Sequence, residues 1–259
     1  MVNTFSWLAI SVAIILVSVA FHASPASAGQ PVVVELFTSE GCSSCPPADA
    51  LFTQLNRQQV SGNADLILLG EHVEYWNSSA WTDRFSASIY TQRQSDYVRQ
   101  LHLATAYTPQ VVIDGHLQTV GSDAATVQRM IAQASNAPHP AAVWLRLDSA
   151  GTLQVNVEDS SRGGNRVLLA VTEDYLTTNV GGGENGGRVL KHSAVVRELH
   201  PLGTTANGKF ETTVELTPKS DWKKQDLRAI VLVQSPGSGQ ILGAASIPDS
   251  LQGSTSVGR

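Results

Sequence analysis

Cysteine is the scarcest reactive residue in this chain of 259, with two copies, Cys42 and Cys45, set three positions apart. A pair so close closes too small a loop to staple a fold, and a four-cysteine zinc site is excluded for want of a second pair. Cations are also few. Seventeen Lys and Arg face 22 Asp and Glu for a formal charge of −5, which leaves no cationic footprint for phosphates, so nucleic acid is not an expected partner. With 42% hydrophobic and 15% charged residues, the composition is that of an ordinary folded protein, neither disordered nor fibrous.

Long apolar runs are absent except for Trp7 to Phe21. The small residues Ala26-Ser27-Ala28 follow it in the pattern a signal peptidase cleaves. Residues 1–28 therefore read as a signal peptide cut after Ala28, although no Lys or Arg precedes the run. The competing reading is an uncleaved anchor, against which the run falls short of the ~20 residues of a membrane span. The expected location is periplasmic or secreted, as for an exported bacterial protein, with no membrane contact after cleavage.

What is present beyond the leader falls into two parts. Val32 to Phe37 is a β-branched apolar run suited to a buried strand, and Ala48, Leu51, Phe52 and Leu55 place an apolar stripe on a helix. Leu66 to Val73 reads as a second strand, Glu71 to Phe85 as a long aromatic loop, and Ile89 to Leu103 as a polar helix. Thr108 to Ile113 and Leu117 to Val120 read as strands about an Asp114-Gly115 hairpin, with Asp123 capping a helix that reaches Ser135. Beyond the prolines at 138 and 140, strand-like runs recur at Val143–Leu147, Leu153–Val157, Val167–Thr172, Phe210–Leu216 and Ala229–Gln234. The expected organisation is an α/β domain over 29–136, a linker at 137–140, an all-β, sandwich-like domain over 141–250 and a disordered tail at 251–259.

The Cys42-Ser43-Ser44-Cys45 pair sits between the first strand and the first helix. In that position Cys42 can attack as a thiolate and Cys45 can resolve the mixed disulfide. Pro46 and Pro47 push the helix start to one or other of them, so Cys42 stands ahead of the first turn and its thiol is expected to be only moderately acidified. A stable disulfide that rigidifies the turn is the alternative, and metal binding, to which His72 and His192 would have to contribute, is a third.

Four motifs carry a family resemblance: Gly41-Cys42-Ser43-Ser44-Cys45-Pro46-Pro47-Ala48-Asp49, His72-Val73-Glu74-Tyr75-Trp76, Tyr107-Thr108-Pro109-Gln110 and Gly181-Gly182-Gly183-Glu184-Asn185. Together, over roughly Pro31 to Pro248, they resemble domain-of-unknown-function family 1223, a group of secreted thioredoxin-like proteins. The resemblance implies a thioredoxin-like fold for the α/β half. It also implies that Pro109 after Thr108 is a cis-proline facing the dithiol and presenting backbone groups to a bound polypeptide. The chain departs from the family pattern His-Val-Asp-Tyr-Trp-Asp at Glu74, which keeps the charge, and at Asn77, which loses it.

Other candidates take supporting parts. His72 and Glu74 close the second strand and by alternation would share a face, fit to move protons or to hold the long loop. Thr108, Pro109 and Trp76 are the expected substrate contacts, while Tyr75, Trp81 and Phe85 fit ordinary loop packing. The Gly181 to Arg188 stretch lacks the Lys-Ser/Thr ending of a phosphate loop, so Glu184 and Arg188, with His192, are expected to dock the second half on the first. The expected function is thiol–disulfide exchange with a protein thiol or disulfide by a monomer without cofactor or metal; the alternative is a non-catalytic binding protein with a structural disulfide.

Overall fold

The computed structural model describes residues 29–247 and 255–258. The leader at 1–28 lies outside them. In chain order the elements are β1 (Gln30–Thr38), α1 (Pro46–Gln58), β2 (Val60–Ser61), β3 (Ala64–His72), α2 (Ser88–Gln100), β4 (Gln110–Ile113), β5 (Leu117–Val120) and α3 (Ala124–Ala134). There follow β6 (Ala141–Leu147), β7 (Thr152–Asp159), β8 (Arg166–Glu173), β9 (Leu176–Asn179), β10 (Val189–His192), β11 (Val195–Thr204), β12 (Lys209–Glu215), β13 (Leu227–Gln234), β14 (Ile241–Ile247) and β15 (Thr255–Gly258).

The local reasons for the first elements are visible in the sequence. Strand β1 alternates Val32, Val34 and Leu36 toward α1 and α3 with Val33 and Phe37 toward the opposite face. Helix α1 starts at Pro46, whose missing N–H costs nothing in a first turn, and buries Ala48, Phe52 and Leu55. The Asp123 side chain accepts from Thr126 N and caps α3. Asp114 and Gly115 both take positive φ to turn β4 into β5.

The expectation of a thioredoxin-like α/β domain followed by a β-sandwich is overturned by the way the strands join. Among the described residues, strand accounts for 42% and helix for 20%. The strands of both halves form a single mixed nine-stranded sheet in the order β14-β13-β8-β11-β3-β1-β4-β5, with β2 on the edge of β3. Strand β11 lies parallel to β3 at Val195 and Gly70. Gly70 permits this closeness: its N–H donates to Ala194 O at 2.7 Å, and a Cβ there would lie 3.2 Å from the carbonyl oxygens of both Ser193 and Ala194.

Strands β8 and β13 bury residues on both faces rather than one. Leu169 and Val231 face one hydrophobic cluster, while Leu168, Ala170, Ile230 and Leu232 face another shared with Val33, Ile67 and Leu69 of the first half. The sheet curls until β14 reaches the β4–β5 turn beside β1, where Ile241 N donates to Asp114 O and Asp114 N to Val33 O, each at 2.9 Å. The four-stranded sheet β12-β7-β6-β15 covers the outer face of this end. The expected wet face exists there, on β7 and β12, whereas β8 and β13 have none. Residues 255–258 of the expected disordered tail pair with β6. The 137–140 connection is pinned as well, since His139 Nε2 lies 3.2 Å from Asp114 Oδ2.

Candidate functional site

The turn leading into α1 carries Cys42 and Cys45 joined as a disulfide. Cys45 is the N-cap: its carbonyl accepts from Ala48 N (2.9 Å) and Asp49 N (3.1 Å), and its own N–H donates to Cys42 O at 3.2 Å. Both cysteines have no exposed surface, while Ser43 and Ser44 between them are exposed. The outward-facing Cys42 expected of an attacking thiol is thus covered in this oxidised form.

The cover comes from the second half of the chain. Asn185 Nδ2 donates to both Glu40 O and Cys42 O at 2.9 Å, and Arg188 donates to Asn185 Oδ1 at 2.8 Å, which fixes the amide's direction. Glu184 Oε2 accepts the Ser43 N–H at 3.1 Å, and hydrogen bonding from Ser43 holds the Glu184 carboxyl below its usual pKa. Positive φ at Gly183 and Gly187 bends the loop. It packs on the β3–α2 loop, where a Cβ on Gly181 would meet the Trp81 ring at 3.2 Å.

A second wall rises from the first half. The Thr108–Pro109 bond is cis. Trp76 Nε1 donates to Thr108 Oγ1 at 2.7 Å, and Gly41 lies so close to Trp76 that a Cβ would come within 3.1 Å of the tryptophan Cβ. Cys42, Cys45 and Trp76 with Thr108 therefore belong to one neighbourhood, and Glu184 and Arg188 join it through Ser43 and Asn185.

His72 and Glu74 are not brought together. Strand β3 ends at His72, and Glu74 opens a short 3-10 turn in which it is exposed, its N–H donating to Thr91 Oγ1 at 2.9 Å. The partner of His72 is Asp83, with Nδ1 to Oδ2 at 2.6 Å and both side chains buried. Asp83 also accepts from Glu40 N and Phe85 N at 2.9 Å, and Asn77 Oδ1 accepts from Asp83 N at 3.0 Å. Burial disfavours charge on Asp83, yet His72 and the two backbone donors outweigh it and hold its pKa down to about 2. Burial likewise opposes charge on His72, but Asp83, Asp49 and Glu40 raise its pKa above the ordinary value.

Around this pair lies a wholly buried polar cluster. Glu40 Oε2 accepts from Trp81 Nε1 at 3.1 Å, and Glu40 Oε1 is 3.4 Å from His192 Nε2. Thr38 Oγ1 donates to Asp49 Oδ1 at 2.9 Å. Burial pushes the Asp49 pKa up, with His192, His72 and the Thr38 bond pulling back only part of the shift. Asp49, His72 and His192 line a cavity with about 10 Å³ for the centre of a water molecule, the room one buried water needs. Asp49 Oδ2 and both ring nitrogens of His192 make no protein hydrogen bond among the described residues, and a water there would meet Asp49 Oδ2 and at most one of the two nitrogens. No group of three or more His, Cys, Asp or Glu is arranged to hold a metal among the described residues.

On the opposite face of the sheet, Glu35 accepts from Arg93 Nε and from the Tyr97 hydroxyl, each at 2.5 Å. Arg93 also reaches Gln234 of β13 at 3.1 Å. Burial and the neighbouring Glu35 push Glu71 well above its usual pKa, and the two carboxyls share the Arg93 guanidinium.

Sequence reasoning missed Asp83, Asn185 and the part played by Glu40. Asp83 lies in an aperiodic aromatic loop where nothing in the spacing marks it, and Asn185 closes one of the motifs of the resemblance, where its residue type gives no sign of the contact it makes. The buried acids Glu35 and Glu71 inside apolar strand runs were a readable cue, since a carboxylate is rarely buried unless paired.

Comparison with known proteins bears on the fold and the lineage. No curated protein matches the chain. A crystal structure of a protein from Agrobacterium tumefaciens superposes with a TM-score of 0.68 at 24% identity, covering 88% of this chain and 97% of that one. At that identity the likeness is one of fold. The family described as "Protein of unknown function (DUF1223)" matches residues 33–234, which takes in the cysteine turn, the buried cluster and the covering loop alike, and the chain belongs to that family.

Proposed function

We propose that this protein carries out thiol–disulfide exchange at Cys42–Cys45, outside the cytoplasm, on a protein thiol or disulfide that reaches the pair when the Gly181–Arg188 loop is displaced. The observation that supports the reading is the placement of a disulfide with three-residue spacing at the N-cap of α1, beside Trp76 and the Thr108–Pro109 turn. In the oxidised form a substrate thiolate attacks Cys42 Sγ, the bond to Cys45 breaks and Cys45 leaves as thiolate. A second substrate thiolate then attacks the mixed disulfide and releases Cys42. Two electrons pass to the protein and the substrate dithiol becomes a disulfide. The helix N-terminus lies next to Cys45 and favours the departing thiolate there.

A structural disulfide is the second reading, and the absence of exposed surface on either cysteine favours it. The two are separated by equilibrating the full chain with glutathione buffers. An exchanging pair interconverts within the glutathione range, whereas a structural bond resists reduction to below about −300 mV. In parallel, Cys45→Ser should accumulate mixed disulfides at Cys42. A pair that stays oxidised throughout the glutathione range, with no species trapped on Cys42, overturns the exchange reading.

A further inference from the structure

The loop that covers the cysteine pair is latched at its tip by one side chain. Its base is closed by the Val180 N–H on Arg188 O at 2.9 Å and the Gly187 N–H on Val180 O at 2.8 Å. Between Val180 and Leu190 every residue except Asn185 is exposed or half-buried, whereas Asn185 has no exposed surface. The tip thus buries no apolar side chain, which places it among the segments that open locally at low cost. Its hold on the first half is the Asn185 amide on Glu40 O and Cys42 O, helped by Glu184 on the Ser43 N–H.

The residue after Asn185 is Gly186, which is exposed. Without a Cβ, a glycine leaves its own nitrogen the least hindered approach to the side-chain carbonyl carbon of a preceding asparagine. In the closed loop that approach is blocked, because the Gly186 N–H is engaged on Gly183 O at 3.1 Å and the Asn185 amide is tied at both ends by Glu40, Cys42 and Arg188. Opening the tip frees both reacting groups at once.

We propose that Asn185–Gly186 is a self-modification site whose hydrolysis unlatches the covering loop for good. In the open loop the Gly186 nitrogen loses its proton to hydroxide and attacks Asn185 Cγ. The bond from Cγ to Nδ2 breaks, ammonia leaves and a cyclic imide forms. Water then opens the ring at either carbonyl to give aspartate or isoaspartate, so one water is consumed and one ammonia released, with no change of oxidation state. The product cannot close as before. Where Nδ2 stood 2.9 Å from two carbonyl oxygens as a donor, a carboxylate oxygen would face them as a third acceptor. The site requires that the loop opens, and stands whether or not the cysteine pair exchanges with a substrate.

The test ages the oxidised full chain at neutral pH and maps its peptides by mass. The background is Asn207→Gly, which removes the chain's other Asn–Gly pair and suits the positive φ at that turn. Asn185 should convert in the folded chain about ten- to a hundredfold more slowly than in the urea-unfolded chain, the protection two hydrogen bonds supply. The converted chain, separated by its added negative charge, should then be reduced by dithiothreitol about tenfold faster than the unconverted one. Asn185→Asp should match it; if that variant fails to fold, the chain converted after folding gives the answer alone. Protection beyond about a hundredfold, or a converted chain reduced at the parent's rate, overturns the proposal.

Discussion

At the scale of single residues, Asn185 and Asp83 hold the site in its observed form. Asn185→Ala removes two hydrogen bonds to the carbonyls of Glu40 and Cys42, each worth about 0.5–1.5 kcal/mol net. The variant should be reduced by dithiothreitol about tenfold faster than the parent, followed by alkylation of the freed thiols; an unchanged rate would show that the loop does not limit access. The His72–Asp83 pair sets a pH dependence. Folding raises the His72 pKa, so its contribution is fully present below the ordinary imidazole value of about 6.5 and is lost as pH climbs through the folded one. Asp83 is depressed from 3.8 to about 2, so its share is present above 3.8 and is lost as pH falls toward 2. The pair's own contribution should therefore be greatest between roughly pH 4 and 6.5. Asp83→Asn should cost about 3–5 kcal/mol, as when a buried ion pair loses one partner, and flatten the decline above pH 6.5 in urea denaturation. A variant that keeps the parent's slope there would assign the dependence to another group.

At the scale of elements, the order strand, helix, strand, helix, strand, strand, helix of the first half could be read from apolar periodicity, the Pro46 helix start and the Asp123 cap. The second half was legible strand by strand only where alternation or apolar runs were long; β9, β10, β11 and β14 escaped notice. Strand β11 explains why. Its Val195 to Thr204 segment contains Arg197, Glu198, His200, Pro201 and Gly203, with register shifts against β8, and no simple period survives such interruptions. The meeting of β3 and β11 depends on Gly70, whose only sequence cue was a glycine inside a strand. Gly70→Val should lower unfolding free energy by about 1–3 kcal/mol, since its branched side chain starts from a Cβ already in tight contact with two carbonyls. Denaturant midpoints give the measure, and a neutral outcome would mean that the two halves separate at that seam without cost.

At the scale of the molecule, two textures of sequence share one sheet. The runs Val167 to Val171 and Ile230 to Val233 are continuously apolar, a pattern of strands covered on both faces, and they are covered partly by Val33, Ile67 and Leu69. Residues 29–140 produced alone would bare that surface and the β3 edge. The fragment should accordingly be insoluble or bind hydrophobic dyes, and co-production with the remaining chain should restore a soluble complex. A fragment that folds cooperatively by itself would show that the shared sheet is not needed. The long reach of the Asn185 contact, 143 residues from Cys42, also orders events in time. A chain made from its N-terminus presents both thiols before Asn185 and its loop exist. Where that loop limits access, whatever forms the bond works most readily on newly made protein.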